Sequence, residues 1–248
     1  MKVVYHEDYN EVYSSDPASA SGRIQAVEKA LRGKVTFVAP VAAAREDILK
    51  VHTPDHVKSV EREGVYDIAA LAAGGAIKAA QIGLTEPCFA LIRPPGHHAS
   101  AGSAWGFCYF NNMSIALEKL RREGKIKKAF ILDFDLHYGD GNVNILEHKG
   151  YVTILNPLAS NRNEYLKNVQ DALALTDADM IAVSAGFDNH EDDWGGLLKT
   201  EDYQYMGRLV RETARRNNGG CFGILEGGYN HNVLGKNVLA FVEGLEEK

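Results

Sequence analysis

The sequence predicts an α/β protein, a mostly parallel sheet with helices over both faces. Three observations carry this reading. Short apolar runs rich in Val, Ile, Leu and Phe recur along the chain and alternate with longer segments of helical period. Most of these runs lack the apolar–polar alternation of a half-exposed strand, as expected where both faces of a sheet are covered. No internal repeat, low-complexity tract or Pro/Ser-rich linker interrupts the 248 residues. Residues 1–248 therefore read as a single domain, a size at which open or barrel-like α/β folds commonly form one core.

In chain order the strand runs are "KVVYH", "VTFVAP", "FALIRPP", "AFILDFD", "YVTILN", "MIAVSAGFD" and "CFGILEGGY". Helices are expected over 18–32, 67–83, 111–124, 162–175, 201–217 and 233–243, with Asn111 or Asn112 capping the third. The composition, 45% hydrophobic and 24% charged, is that of an ordinary globular protein. A formal net charge of −6 argues against sequence-independent nucleic-acid binding, which needs a positive field to displace counterions. The opening "MKVVYHEDYN" meets acids at once instead of a long apolar segment, and no run approaches the length of a membrane span. A cytoplasmic protein is expected. Cys88, Cys108 and Cys221 are few and scattered, so they read as buried thiols rather than a disulfide framework or a Cys-x-x-Cys zinc site. Nothing in the chain specifies an oligomeric state.

The informative residues lie at strand ends. "RPPGHH" carries His97 and His98, "DFDLHYGD" carries Asp133 through Asp140, "GFDNHEDD" carries Asp188, and "EGGYN" carries Tyr229. In open parallel sheets the ligand crevice lies outside the carboxyl ends of the strands, so these four segments are expected to converge. Asp135 and His137, one residue apart, would point to the same side of extended backbone and reach one ion, with Asp188 as a third ligand. Three protein ligands leave a coordination position for water, the mark of a catalytic site. A hydrogen-bonded acid network at the sheet edge would use the same Asp-x-Asp-x-His residues.

His97 and His98 sit on a Pro-Pro-Gly turn that restricts the backbone and can fix both rings, although adjacent histidines also occur as plain loop elements. Asp133 and Asp140 could each accept the far N–H of one imidazole, making two dyads. Tyr229 follows two glycines that permit a sharp turn. A phenol there either caps the core or donates to an oxygen whose charge grows during reaction. His190, Glu191, Asp192 and Asp193 read as loop polar groups and caps rather than as a second metal site. "WGFCYFNN" reads first as core, with Phe107, beside Gly106, a candidate wall for a narrow substrate passage.

Taken together, "RPPGHHA", "GFCYFNN", "DFDLHYGDGN", "SAGFD" and "EGGYN" resemble the histone deacetylase superfamily, with the class II-like spelling of bacterial deacetylase-like amidohydrolases and acetylpolyamine amidohydrolases. Order and spacing agree from about residue 5 to residue 236. The resemblance implies an arginase/deacetylase-like three-layer α/β/α sandwich with a central sheet of about eight strands. It makes Asp135, His137 and Asp188 the ligands of a Zn²⁺, with Fe²⁺ or Co²⁺ as alternatives. It pairs His98 with Asp140 as general base and acid, and His97 with Asp133 as the electrostatic member. It gives Tyr229 the polarisation of the scissile carbonyl, Phe107 and Gly106 a wall of the acyl-amine tunnel, and Arg23 a place lining an internal channel.

The chain also departs from the family pattern. The loop after "HTPDHV" is short, the substrate-gripping Asp on it has no counterpart, and Asp67 belongs to the next helix. "TILNPLASNRN" abbreviates the loop that carries the opposing aromatic wall and a Ser helping to bind a structural K⁺ or Na⁺. Gly195 occupies the region of the gatekeeper acid found in polyamine specialists. The function expected is metal-dependent hydrolysis of an acylated amine, such as acetyl-lysine or an acetylpolyamine. The alternatives are a binuclear arginase-type ureohydrolase and a non-catalytic acyl-amine binding protein.

Overall fold

A computed structural model describes residues 1–247. Its elements in order are β1 (Lys2–Val4), α1 (Arg23–Leu31), β2 (Thr36–Val38), α2 (Arg45–Leu49), α3 (Pro54–Arg62), α4 (Tyr66–Gly83), β3 (Cys88–Ala90), α5 (Asn112–Arg122), β4 (Ala129–Asp133), α6 (Asp140–Leu146), β5 (Val152–Leu155), α7 (Arg162–Leu175), β6 (Met180–Ala185), α8 (Thr200–Arg216), β7 (Gly220–Leu225) and α9 (His231–Glu246). Each of the apolar runs read from the sequence becomes a strand. The sheet has seven strands among the described residues, all parallel, in the order β2-β1-β3-β7-β6-β4-β5. The resemblance implied about eight; no further apolar run exists to supply another.

Helix boundaries moved where local chemistry overrides period. The segment expected over 18–32 is divided: Asp16 accepts the Ser19 N–H at 3.0 Å to cap a 3-10 turn over Pro17–Ser19. Gly22, at φ 87°, then breaks the chain before α1 begins. Asn111 is the cap of α5, its side-chain oxygen accepting the Ser114 N–H at 2.7 Å. The short helices α2, α3 and α6 were not anticipated, because a helix of five to nine residues shows too little of its period to be read.

Helices cover both faces because successive residues of a strand point opposite ways. In β7, Phe222 lies under α4, where a side chain at Gly83 would come within 3.0 Å of Phe222 Cβ, whereas the bare Gly223 admits the ring of Phe241 from α9. Phe241 is fully buried and meets Phe89, Phe134 and Phe187 with centroids 6.0, 5.3 and 6.3 Å away. Two of these rings flank the carboxylates of interest, Phe134 between Asp133 and Asp135 and Phe187 just before Asp188. The aromatic core therefore anchors the loops above it. Among the described residues no helix is long and apolar enough to cross a membrane.

Phe241→Ala removes the ring shared by these contacts and is expected to lower unfolding stability by about 3–5 kcal/mol, measured by denaturant titration.

Candidate metal centre and active site

The strands that precede the unusual residues, β3, β7, β6 and β4, are consecutive neighbours in the sheet. Their carboxyl ends therefore open on one crevice. β4 stops at Asp133, and Asp135 and His137 lie in a bend rather than in the extended backbone expected from their alternation. Their common direction comes instead from an Asx-type turn, in which Asp135 Oδ1 accepts the His137 N–H at 2.9 Å. Asp188 Oδ1 accepts the Leu136 N–H at 3.0 Å, tying the loop after β6 to the same bend.

One donor atom from each of Asp135, His137 and Asp188 can be chosen so that all lie within 4.8 Å of one another. His137 Nδ1 is 3.2 Å from Asp135 Oδ1 and 3.0 Å from Asp188 Oδ2. Both carboxylates are buried, and the His137 ring is the protein group that faces Asp188 Oδ2. Their hydrogen bonds and charge hold the His137 ring's pKa up at about 10. Two buried carboxylates and an imidazole are a donor set that could hold a divalent cation. Glycines make the space. A side-chain carbon at Gly227 would stand 2.6 Å from Asp135 Oδ2 and 2.8 Å from Asp188 Oδ2, and one at Gly186 would stand 1.9 Å from Asp135 Oδ2. The bare Gly227 instead donates its N–H to Asp135 Oδ2 at 2.8 Å.

The histidine pair is distributed over two carboxylates. His97 Nδ1 lies 3.2 Å from Asp133 Oδ2, and His98 Nδ1 lies 2.7 Å from Asp140 Oδ1. The environments drive the rings apart in charge. Burial opposes the imidazolium at His97, but the Asp133 and Asp135 carboxylates outweigh it and raise its pKa well above the ordinary value. Burial, reinforced by repulsion from His97, depresses His98 to about 4. Tyr229 is held protonated, since burial raises its phenol.

A cavity of ≈ 260 Å³ joins these groups, with His97, His98, His137 and Tyr229 in its wall. Gly106 and Phe107 line it in two successive left-handed conformations, φ 58° and 66°. A side-chain carbon at Gly106 would fall 2.3 Å from the His98 ring, which explains the glycine. Phe107 meets Tyr229 edge-on at 6.0 Å. Arg23 lies outside this cavity. It is fully buried, donates from Nε to Gly228 O at 2.7 Å and from Nη2 to Glu226 O at 2.6 Å, and sits 5.5 Å from the Tyr229 ring. Of the acids and imidazole set aside as loop groups, Asp193 accepts the Tyr229 and Asn230 N–H groups at 2.8 and 2.7 Å. His190 accepts the Asp192 N–H at 3.1 Å. All three cysteines are free and buried.

Three participants escaped the sequence reading. Glu226, fully buried, accepts the Gly96 N–H at 2.7 Å and the Ser184 hydroxyl at 3.1 Å, pinning the histidine turn to β7. Burial raises its pKa to about 7. Its signal was a charged residue closing the apolar run "CFGIL". Trp194, beside Gly195, lines the mouth and stacks on Tyr229 at 4.0 Å and 24°. Trp105 lines the same cavity and lies against His98 with centroids 3.8 Å apart. Both indoles are about half exposed, and exposed tryptophan is itself a signal.

Gly227→Ala is expected to cut bound zinc below one-tenth of the wild-type stoichiometry after dialysis against excess Zn²⁺, read by elemental analysis, while the circular dichroism spectrum stays native.

Comparison with known proteins gives the lineage. The histone deacetylase domain model matches residues 17–165 and 158–245. A probable deacetylase of Methanothermobacter thermautotrophicus is 31% identical, aligned over 99% of this chain and 91% of its own length. A probable deacetylase of Archaeoglobus fulgidus is 30% identical over 92% of this chain and 81% of its own. The crystal structure of the HDA15 HD domain superposes with a TM-score of 0.84 at 23% identity, covering 98% of this chain and 88% of that one, which supports the arginase/deacetylase-like fold. With the family model spanning nearly the whole chain and the two relatives aligned over most of their own length, this chain belongs to the histone deacetylase family.

Proposed function

We propose that this protein is a metal-dependent amidohydrolase that removes acetyl or other acyl groups from amines, with residues 1–248 acting as one catalytic unit. The observation that carries the reading is the meeting of the Asp135–His137–Asp188 triad, two histidine–carboxylate pairs and a protonated Tyr229 at one cavity. A cation held by Asp135, His137 and Asp188, Zn²⁺ or alternatively Fe²⁺ or Co²⁺, supplies Lewis acidity and makes water more acidic at neutral pH.

The protein's own groups manage the protons. His98 takes the proton of the attacking water at Nε2, the nitrogen left free by the Asp140 contact at Nδ1. It then delivers that proton to the amine nitrogen as the C–N bond breaks. His97, tied to Asp133 and driven towards the imidazolium, adds positive charge beside the reacting carbon. The Tyr229 phenol donates a hydrogen bond to the carbonyl oxygen as its negative charge grows. Phe107 and Gly106 wall the acyl chain against the catalytic rings. The relatives named as deacetylases support an acylated amine as substrate, acetyl-lysine or an acetylpolyamine being the simplest. Three free buried thiols fit a reducing compartment, and we assign the enzyme to the cytoplasm.

Zinc-loaded protein should hydrolyse at least one member of a panel of acetyl-lysine peptides, acetylpolyamines and longer acyl amides, with about one metal per chain. A silent panel would overturn the reading, and two metals per chain would favour a binuclear ureohydrolase. Tyr229→Phe is expected to lower kcat by about 100- to 1,000-fold while metal content stays at the wild-type level. Near-normal turnover would remove Tyr229 from the mechanism.

A further inference from the structure

We propose that Trp105 is a positioning residue for the His98–Asp140 pair, acting through the carboxylate that it shares with the imidazole. The proposal rests on the proton-carrying role of His98 given above. Asp140 is the first residue of α6, and its side chain is 33% exposed, so burial does not fix it. Its orientation is fixed by two contacts. Oδ1 lies 2.7 Å from His98 Nδ1, and Oδ2 accepts the Trp105 indole N–H at 2.9 Å. A carboxylate engaged at both oxygens loses the rotation that would otherwise let water compete for it.

The same indole covers one side of the imidazole, with centroids 3.8 Å apart and planes at 31°. His97 flanks His98 as well, with centroids 4.0 Å apart. His98 is thereby held in its plane by Asp140 and against tilting by its ring neighbours. The inner pair has a parallel arrangement. Asp133, the partner of His97, is buried and receives the Asn142 amide at 3.0 Å. Each histidine-bound carboxylate thus has its own supporting donor, an amide in the dry interior and an indole at the half-open mouth. An indole suits the outer position because it donates one hydrogen bond and shields the pair from solvent at the same time. Trp105 is itself 54% exposed, a poor place for so large an apolar group unless the site uses it.

Two measurements test this. The chain has 2 tryptophans, so a ¹H–¹⁵N spectrum shows two indole signals, and Trp105→Phe identifies one by its disappearance. In Asp140→Ala the Trp105 indole resonance should move upfield and exchange faster with water, whereas the Trp194 signal stays in place. A Trp105 resonance indifferent to Asp140→Ala overturns the proposal. In zinc-loaded protein, Trp105→Phe should lower kcat by about 10-fold with KM changed less than about 2-fold, because a charge-assisted hydrogen bond is lost while an aromatic ring remains. The double variant Trp105→Phe/Asp140→Ala should turn over no more slowly than Asp140→Ala alone. Additive losses, or an effect confined to KM, would make Trp105 a substrate wall instead and overturn the proposal. A wild-type protein inert towards every acyl amide would refute the enzymatic reading, while the indole signals would still decide whether Trp105 and Asp140 are coupled.

Discussion

Uncompensated negative charge in a dry interior governs this structure. Asp133, Asp135, Asp188 and Glu226 are buried together at the carboxyl ends of neighbouring strands. Burial of ionised carboxylates is strongly unfavourable unless cations or several N–H donors surround them. The protein meets this demand with backbone: the N–H groups of Gly96, Leu136, His137 and Gly227 all point at these acids. It also surrounds them with two imidazoles, His97 facing Asp135 and His137 facing Asp188, which are fewer cationic groups than there are acids. That remaining imbalance is what the proposed divalent ion would offset.

Such dense packing of charge dictates where side chains are forbidden. Gly139 faces Asp133, where a side-chain carbon would lie 2.0 Å from Oδ2, and Gly186 and Gly227 clear the neighbouring carboxylates in the same way. Below the acids, Phe134 and Phe187 drive their rings into the aromatic core at a separation of 5.5 Å. Alternation between acid above and aromatic below converts a hydrophobic anchor into positional control of the donor atoms.

Much of this was legible in the amino-acid order. The strands were visible because a strand covered on both faces must be apolar throughout, and the triad was visible because acids and an imidazole gather at the ends of several such runs, where either a cation or a hydrogen-bonded acid network can use them. The bend at Asp135–His137 was not, since an Asx-type turn and an extended alternation present the same spacing. Glu226 and Trp105 stood inside motifs read for other residues. Their partners, Gly96 and Asp140, are remote in sequence, and only folding reveals them. Trp194 was not singled out because its partner Tyr229 lies in a distant segment of the chain and meets it only after folding.

The hydrogen bond from Gly96 to Glu226 spans 130 positions, and the Gly227 to Asp135 bond spans 92. Ribosomal synthesis therefore delivers the histidine turn and the first ligands long before the residues that lock them in place. A nascent chain that ends before β7 has Asp135, His137 and Asp188 but neither the Gly227 N–H nor Tyr229, so the groups that close the crevice arrive only with the last strand and the turn after it.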